Sequence, residues 1–105
     1  MSKQFDLCIV IPCYNEEKRL DTKRFIKFLN LQKNVLLCFV NDGSSDGTFE
    51  VLQKIKLDFT NNVKAISTKN NVGKAEAVRT GIIYCNTNFK HEKIAYLDAD
   101  LATTL

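Results

Sequence analysis

Four short apolar runs, Phe5 to Ile11, Val35 to Val40, Val63 to Ile66 and Ile94 to Leu97, recur along the chain at intervals that each leave room for a helix. This alternation constrains the fold more than any other feature. Each run is too short for a buried helix and is rich in branched or aromatic side chains, so each reads as a strand. The intervening segments carry a helical period. Over about Glu17 to Leu31, Leu20, Phe25, Phe28 and Leu29 share one side, with lysines and arginines opposite. Val51, Leu52 and Ile55 recur over about Thr48 to Leu57, as do Ala75, Val78, Ile82 and Cys85 over about Gly73 to Cys85. Strands apolar along their whole length, alternating with helices, predict a doubly wound α/β layer: a mostly parallel sheet with helices on both faces and right-handed crossovers. In such sheets ligands bind in the crevice at the carboxyl ends of the strands.

The chain's 105 residues suit one domain, burying roughly 60 to 70% of the unfolded surface. With 45% hydrophobic and 26% charged residues, composition argues against disorder or a fibrous repeat. The net charge of +3 is scattered over the predicted helices as a solvated face would be, so no nucleic-acid partner is expected. Met1 to Asp6 lacks a basic segment followed by an apolar core, and no stretch approaches the ~20 apolar residues of a membrane span. The chain reads as soluble and cytoplasmic. Cys8, Cys13, Cys38 and Cys85 form no C-x-x-C pair, and with the single His91 they make no zinc pattern. Cys8 and Cys38 lie in apolar runs and read as reduced core thiols, leaving Cys13, placed in a loop, as the one whose reactivity matters.

The strand ends carry the unusual chemistry. In Asp98-Ala99-Asp100 two carboxylates stand two residues apart after an apolar run. In an extended segment both would point to one face while Ala99 faces away, and their repulsion would call for a cation. Oxygen-only donors suit Mg2+ or Mn2+, although a solvated acidic turn reads equally well from these residues alone. After the first run, Pro12 is expected to stop the strand, Tyr14 offers a flat ring for stacking on a base, and Asn15 could cap a helix whose N-terminus Glu16 and Glu17 favour. After the second run, Asn41-Asp42-Gly43-Ser44-Ser45-Asp46-Gly47 is dense in turn formers. Ser45 or Asp46 reads as a cap, whereas Asp42 lies upstream of the caps and could accept hydrogen bonds from a base or a ribose. In Asn70-Asn71-Val72-Gly73-Lys74, a glycine and a lysine at a helix start could meet a diphosphate; a capped helix with a surface lysine is the plain alternative. Neither G-x-G-x-x-G after the first strand nor G-x-x-x-x-G-K-[ST] is present, which argues against dehydrogenase and P-loop folds.

Taken in order, Pro12-Cys13-Tyr14-Asn15-Glu16, Asn41 to Thr48, Asn71-Val72-Gly73-Lys74 and Asp98-Ala99-Asp100 resemble the inverting family 2 glycosyltransferases of GT-A fold. The run from Tyr96 to Thr103 is most similar to polyprenyl- or dolichyl-phosphate glucosyl- and mannosyltransferases. The resemblance implies a site for a UDP- or GDP-sugar donor. Pro12, Tyr14, Glu16 and Asp42 would surround the base and ribose, Gly73 and Lys74 would lie near the phosphates, and Asp98 and Asp100 would hold Mg2+ or Mn2+ on the diphosphate. Asn41 departs from the aspartate of many relatives. A lipid phosphate as acceptor would relax the need for a general base, since a phosphate monoester with a second pKa of about 6 is already largely ionised at neutral pH. No general base is identified in the chain. By the same resemblance, residues 1–105 are expected to be the nucleotide-sugar-binding part of a longer domain, without its acceptor half and inactive in isolation. In the full-length enzyme this part would lie in the cytoplasm or against the cytoplasmic face of a membrane. The competing reading is a nucleotide-binding or assembly fragment without turnover, its open sheet edge and apolar surface masked by self-association.

Overall fold

A computed structural model describes residues 4–100; Met1 to Lys3 and, from the Tyr96 to Thr103 motif, Leu101 to Thr103 lie outside them. Strands β1 (Gln4–Cys13), β2 (Val35–Asn41), β3 (Val63–Ser67) and β4 (Lys90–Tyr96) alternate with helices α1 (Thr22–Leu31), α2 (Thr48–Asp58) and α3 (Lys74–Asn88). The sheet has the order β3-β2-β1-β4, and every pairing is parallel. The doubly wound α/β prediction therefore holds.

Each face of the sheet has its own core, and the two-residue period of the strands sorts side chains between them. Ile9, Ile11 and Cys13 of β1 with Leu37 and Phe39 of β2 pack beneath α1 and α2, against Phe25, Leu29, Leu52 and Ile55. The ring of Phe25 meets that of Phe39 edge to face at 5.2 Å, worth about 0.5–1.5 kcal/mol beyond area burial. On the other face Cys8, Val10, Leu36, Cys38 and Val40 pack beneath α3 through Ala77 and Cys85. All seven residues of β2 are buried, as expected of a central strand covered on both sides.

Local expectations change in several places. Pro12 does not end β1: it stays in register with Val40, two residues beyond the last β1–β4 pair, Val10 and Tyr96. The Val10 carbonyl accepts the Leu97 N–H at 2.9 Å, so Pro12, two residues on, turns its missing donor toward an edge where β4 has already finished. Helix α1 begins at Thr22 rather than near Glu17, because Asp21 caps it by accepting the Arg24 N–H at 3.1 Å. In α3 the buried residues are Ala77, Gly81 and Cys85, while Ala75 is exposed and Val78 and Ile82 are half-buried. Gly81 decides this face: a Cβ there would overlap Val10 and Val40, so α3 sits on the sheet through its smallest residue. No helix among the described residues is long and apolar enough to cross a membrane.

Candidate functional site

Where the strand order reverses between β1 and β4, the carboxyl ends of the strands open into a cleft of about 380 Å3. Pro12, Tyr14 and Glu16 enter it from the segment after β1, and Asp42 from the end of β2. Gly73 and Lys74 enter from the start of α3, and Asp98 and Asp100 from beyond β4. The eight residues that the resemblance implied for the donor and metal sites thus line one cavity.

The loops after β1 and β2 are tied together. Asn15, in the left-handed region at φ 50°, accepts the Ser45 N–H at 2.9 Å with its side-chain oxygen and donates its own N–H to the Ser44 hydroxyl at 3.0 Å. It therefore links loops and does not cap α1. The Glu16 N–H donates to the buried Thr48 hydroxyl at 2.8 Å, and the Gly47 N–H donates to the Glu17 carboxylate at 2.9 Å. Asp46, as expected, serves the start of α2 by accepting the Thr48 N–H at 2.9 Å as well as the Thr48 hydroxyl. These bonds, the hydroxyl's first, hold the Asp46 carboxyl below its ordinary range. The Glu16 carboxylate pairs with Arg19 at 2.7 Å, while Tyr14 stands 48% exposed at the cleft.

Asp42 is 3% exposed and spends its carboxylate on the segment that leads into α3. One oxygen accepts the Thr68 hydroxyl at 2.9 Å and the Val72 N–H at 2.9 Å; the other accepts the Asn71 amide at 3.2 Å and the Gly73 N–H at 3.0 Å. Four donors occupy the acceptor directions that the sequence reading left open for a base or a ribose. Gly43 permits the close approach, since at φ +68° a Cβ would press on the backbone of Asn70 and Asn71.

The carboxylates beyond β4 are not arranged by a pleat. The strand ends at Tyr96, and Ala99 with Asp100 begins a 3-10 turn, with Ala99 buried beneath α1 and α2. Ala99 must be small because it packs in the core. Asp98 is half-buried and pairs through Oδ1 with the Lys74 ammonium, which lies 5.6 Å from the Tyr96 ring centroid. That hydrogen bond first, then the charges around it, raises the Lys74 pKa above its ordinary value. The donors fit a hard divalent cation in kind, and the Lys74 ammonium already shows that Asp98 takes a cation. Among the described residues no group of three or more His, Cys, Asp or Glu could hold a metal, so the side chains here fall short of a full cage.

Cys13, expected in a loop, closes β1 and is 1% exposed; burial first and the nearby Glu16 charge second push its pKa up to about 12. All four cysteines are free and buried. Sequence reasoning did not assign Thr68 and Asn71 to Asp42, nor Asn15 to the second loop. The only local signal was that asparagine is the side chain other than glycine that most readily adopts left-handed backbone.

A family profile described as Glycosyl transferase family 2 matches residues 8–104. The uncharacterized glycosyltransferase YkcC of Bacillus subtilis is 36% identical over 104 residues, covering 96% of this chain and 31% of the relative. The dolichyl-phosphate beta-glucosyltransferase ALG5A of Trichomonas vaginalis is 32% identical, covering 94% of this chain and 32% of the relative. The chain thus spans about a third of the length of these curated relatives. Among solved structures, Staphylococcus aureus TarS 1-349 in complex with UDP-GlcNAc aligns with a TM-score of 0.72 at 20% identity, over 91% of this chain and 27% of TarS. The mannosyltransferase PcManGT of Pyrobaculum calidifontis, in complex with GDP-Man and Mn2+, aligns with a TM-score of 0.70 at 18% identity, over 93% of this chain and 28% of the other. At these identities the structural likeness establishes the fold.

Proposed function

The chain belongs to glycosyl transferase family 2, and on that premise we propose that residues 1–105 form the nucleotide-sugar-binding part of a GT-A glycosyltransferase that takes a UDP- or GDP-sugar donor. One observation carries the reading: the four ordered motifs, distant in sequence, converge on a single cleft at the switch point of the sheet. Tyr14 presents an aromatic face for the base, and Pro12 and Glu16 shape the loop beside it. Asp42 anchors the Asn71 to Gly73 segment and so fixes where α3 starts. No side chain caps that helix, which leaves its first-turn N–H groups and the Lys74 ammonium to meet phosphate oxygens. Asp98 and Asp100 are the ligands for Mg2+ or Mn2+. When bound, the cation neutralises charge that develops on the departing nucleoside diphosphate.

The acceptor is a lipid phosphate. An ionised phosphate needs no general base. The dolichyl-phosphate transferase among the relatives agrees with this choice. In isolation the chain binds donor without transferring sugar, and the longer protein works at the cytoplasmic face of a membrane.

Saturation-transfer NMR with UDP-glucose, UDP-GlcNAc, GDP-mannose and ADP-glucose, each with and without Mg2+, tests the donor assignment. A Mg2+-dependent signal from a uridine or guanosine sugar is expected. Silence from all four against a folded chain overturns the reading.

A further inference from the structure

Lys74 is the first residue of α3, and the residue before it is pinned: the Gly73 N–H donates to Asp42 at 3.0 Å. The root of the lysine is therefore fixed, while its side chain, 54% exposed, retains the freedom to swing. Its ammonium rests on Asp98 Oδ1, within reach of the Tyr96 ring.

Resting on the donor-site reading, we infer that Lys74 is a resident counter-ion that holds the cation position of Asp98 before ligands bind and moves to the diphosphate when nucleotide and metal arrive together. An ammonium and a divalent cation held by one carboxylate repel each other, so each weakens the other's hold on Asp98. Asp98 and Asp100 alone make a poor cage, because among the described residues no third ligand side chain stands by them. A divalent cation alone would have to compete with Lys74 and offer it no new partner. A nucleoside diphosphate alone would meet a Lys74 that is already paired. Arriving together, the two supply the missing oxygen ligands for the cation and an anionic partner for the released ammonium. Each thereby raises the affinity of the other by the same factor, as linkage requires. The device also explains why a lysine at a helix start, a place that favours anions, is tolerated: its charge is neutralised across the cleft.

The full 105-residue chain is titrated with Mn2+ alone, free Mn2+ being followed by electron paramagnetic resonance, and then with Mn2+ in the presence of UDP or of GDP. Lys74→Met, Lys74→Gln, Lys74→Arg and Asp98→Asn are compared with the parent, and circular dichroism confirms each fold. For Mn2+ alone, Lys74→Met and Lys74→Gln are expected to bind about two- to five-fold more tightly, the range that loss of an exposed ion pair allows. Lys74→Arg should stay close to the parent. With nucleotide present the order reverses, and Lys74→Met binds more weakly than the parent. If Asp98→Asn abolishes Mn2+ binding but Lys74→Met and Lys74→Gln leave the Mn2+-alone affinity unchanged or weaker, the counter-ion role is overturned and the donor site stands. If Asp98→Asn binds Mn2+ like the parent, or no variant binds it under any condition, both readings fall.

Discussion

The Gly73 N–H donates to the carboxylate of Asp42 at 3.0 Å, joining the residue after β2 to the N-cap of α3. Three further donors share that carboxylate, so Asp42 organises the cleft before any ligand enters it. Replacing it with asparagine removes one acceptor oxygen and turns an NH2 group toward other donors. Asp42→Asn should cost about 2–4 kcal/mol, as loss of charge-assisted bonds to buried groups does. Urea denaturation measures this; a loss below about 0.5 kcal/mol, the range of ordinary surface changes, would deny Asp42 that role.

Gly81→Ala separates two opposing effects in α3. Alanine gains up to about 1 kcal/mol in helix propensity, while its Cβ overlaps Val10 and Val40 and overpacking costs about 1–3 kcal/mol. Steric overlap should win, lowering the thermal midpoint. A midpoint that rises would show that α3 does not rest on the sheet at this residue.

The buried thiols should be silent in the native state. Ellman's reagent at pH 8 is expected to modify none of Cys8, Cys13, Cys38 and Cys85 until the chain unfolds, when all four react. Burial at Cys13, and at Cys85 the hydrogen bond with Cys38 and then burial, make stability fall in alkali. Unfolded thiols ionise near pH 8.5, whereas folded Cys13 and Cys85 hold their protons up to about 12, so above about pH 8.5 the folded state binds more protons and its advantage declines as pH rises. Denaturation midpoints at pH 7 and 10 give the sign, and an increase at pH 10 would contradict it.

Asp46 acts in the opposite direction. Its carboxyl is held below the ordinary range mainly by the Thr48 hydroxyl, so its contribution is present above about pH 4 and is lost as pH falls through the depressed folded value. Parent and Asp46→Asn should differ in stability at neutral pH and converge in acid. Parallel pH profiles would remove Asp46 from the account.

Strand alternation made the parallel sheet legible, because β2 is buried along its whole length and β1 from Cys8 to Ile11, as strands covered on both faces are. The cleft was legible as a set of strand-end motifs. What stayed hidden depends on contacts between loops far apart in sequence. Asn15 reads locally as a cap and becomes a bridge to Ser44 and Ser45 only once β1 and β2 lie side by side. Asp42 reads as an open acceptor and is filled by Thr68, Asn71, Val72 and Gly73, which follow β3. Asp98 and Asp100 reach the same cleft through a turn rather than a pleat, because Ala99 is drawn into the core.

The most direct measurement is a calorimetric titration of UDP and of GDP into the folded chain, with and without Mn2+, for the parent and for Asp98→Asn and Asp100→Asn. One of the two nucleotides should bind at least about tenfold more tightly with Mn2+, a difference of about 1.4 kcal/mol, and either substitution should remove this gain without unfolding the chain. Binding indifferent to Mn2+, or a metal-dependent gain that survives both substitutions, would contradict this.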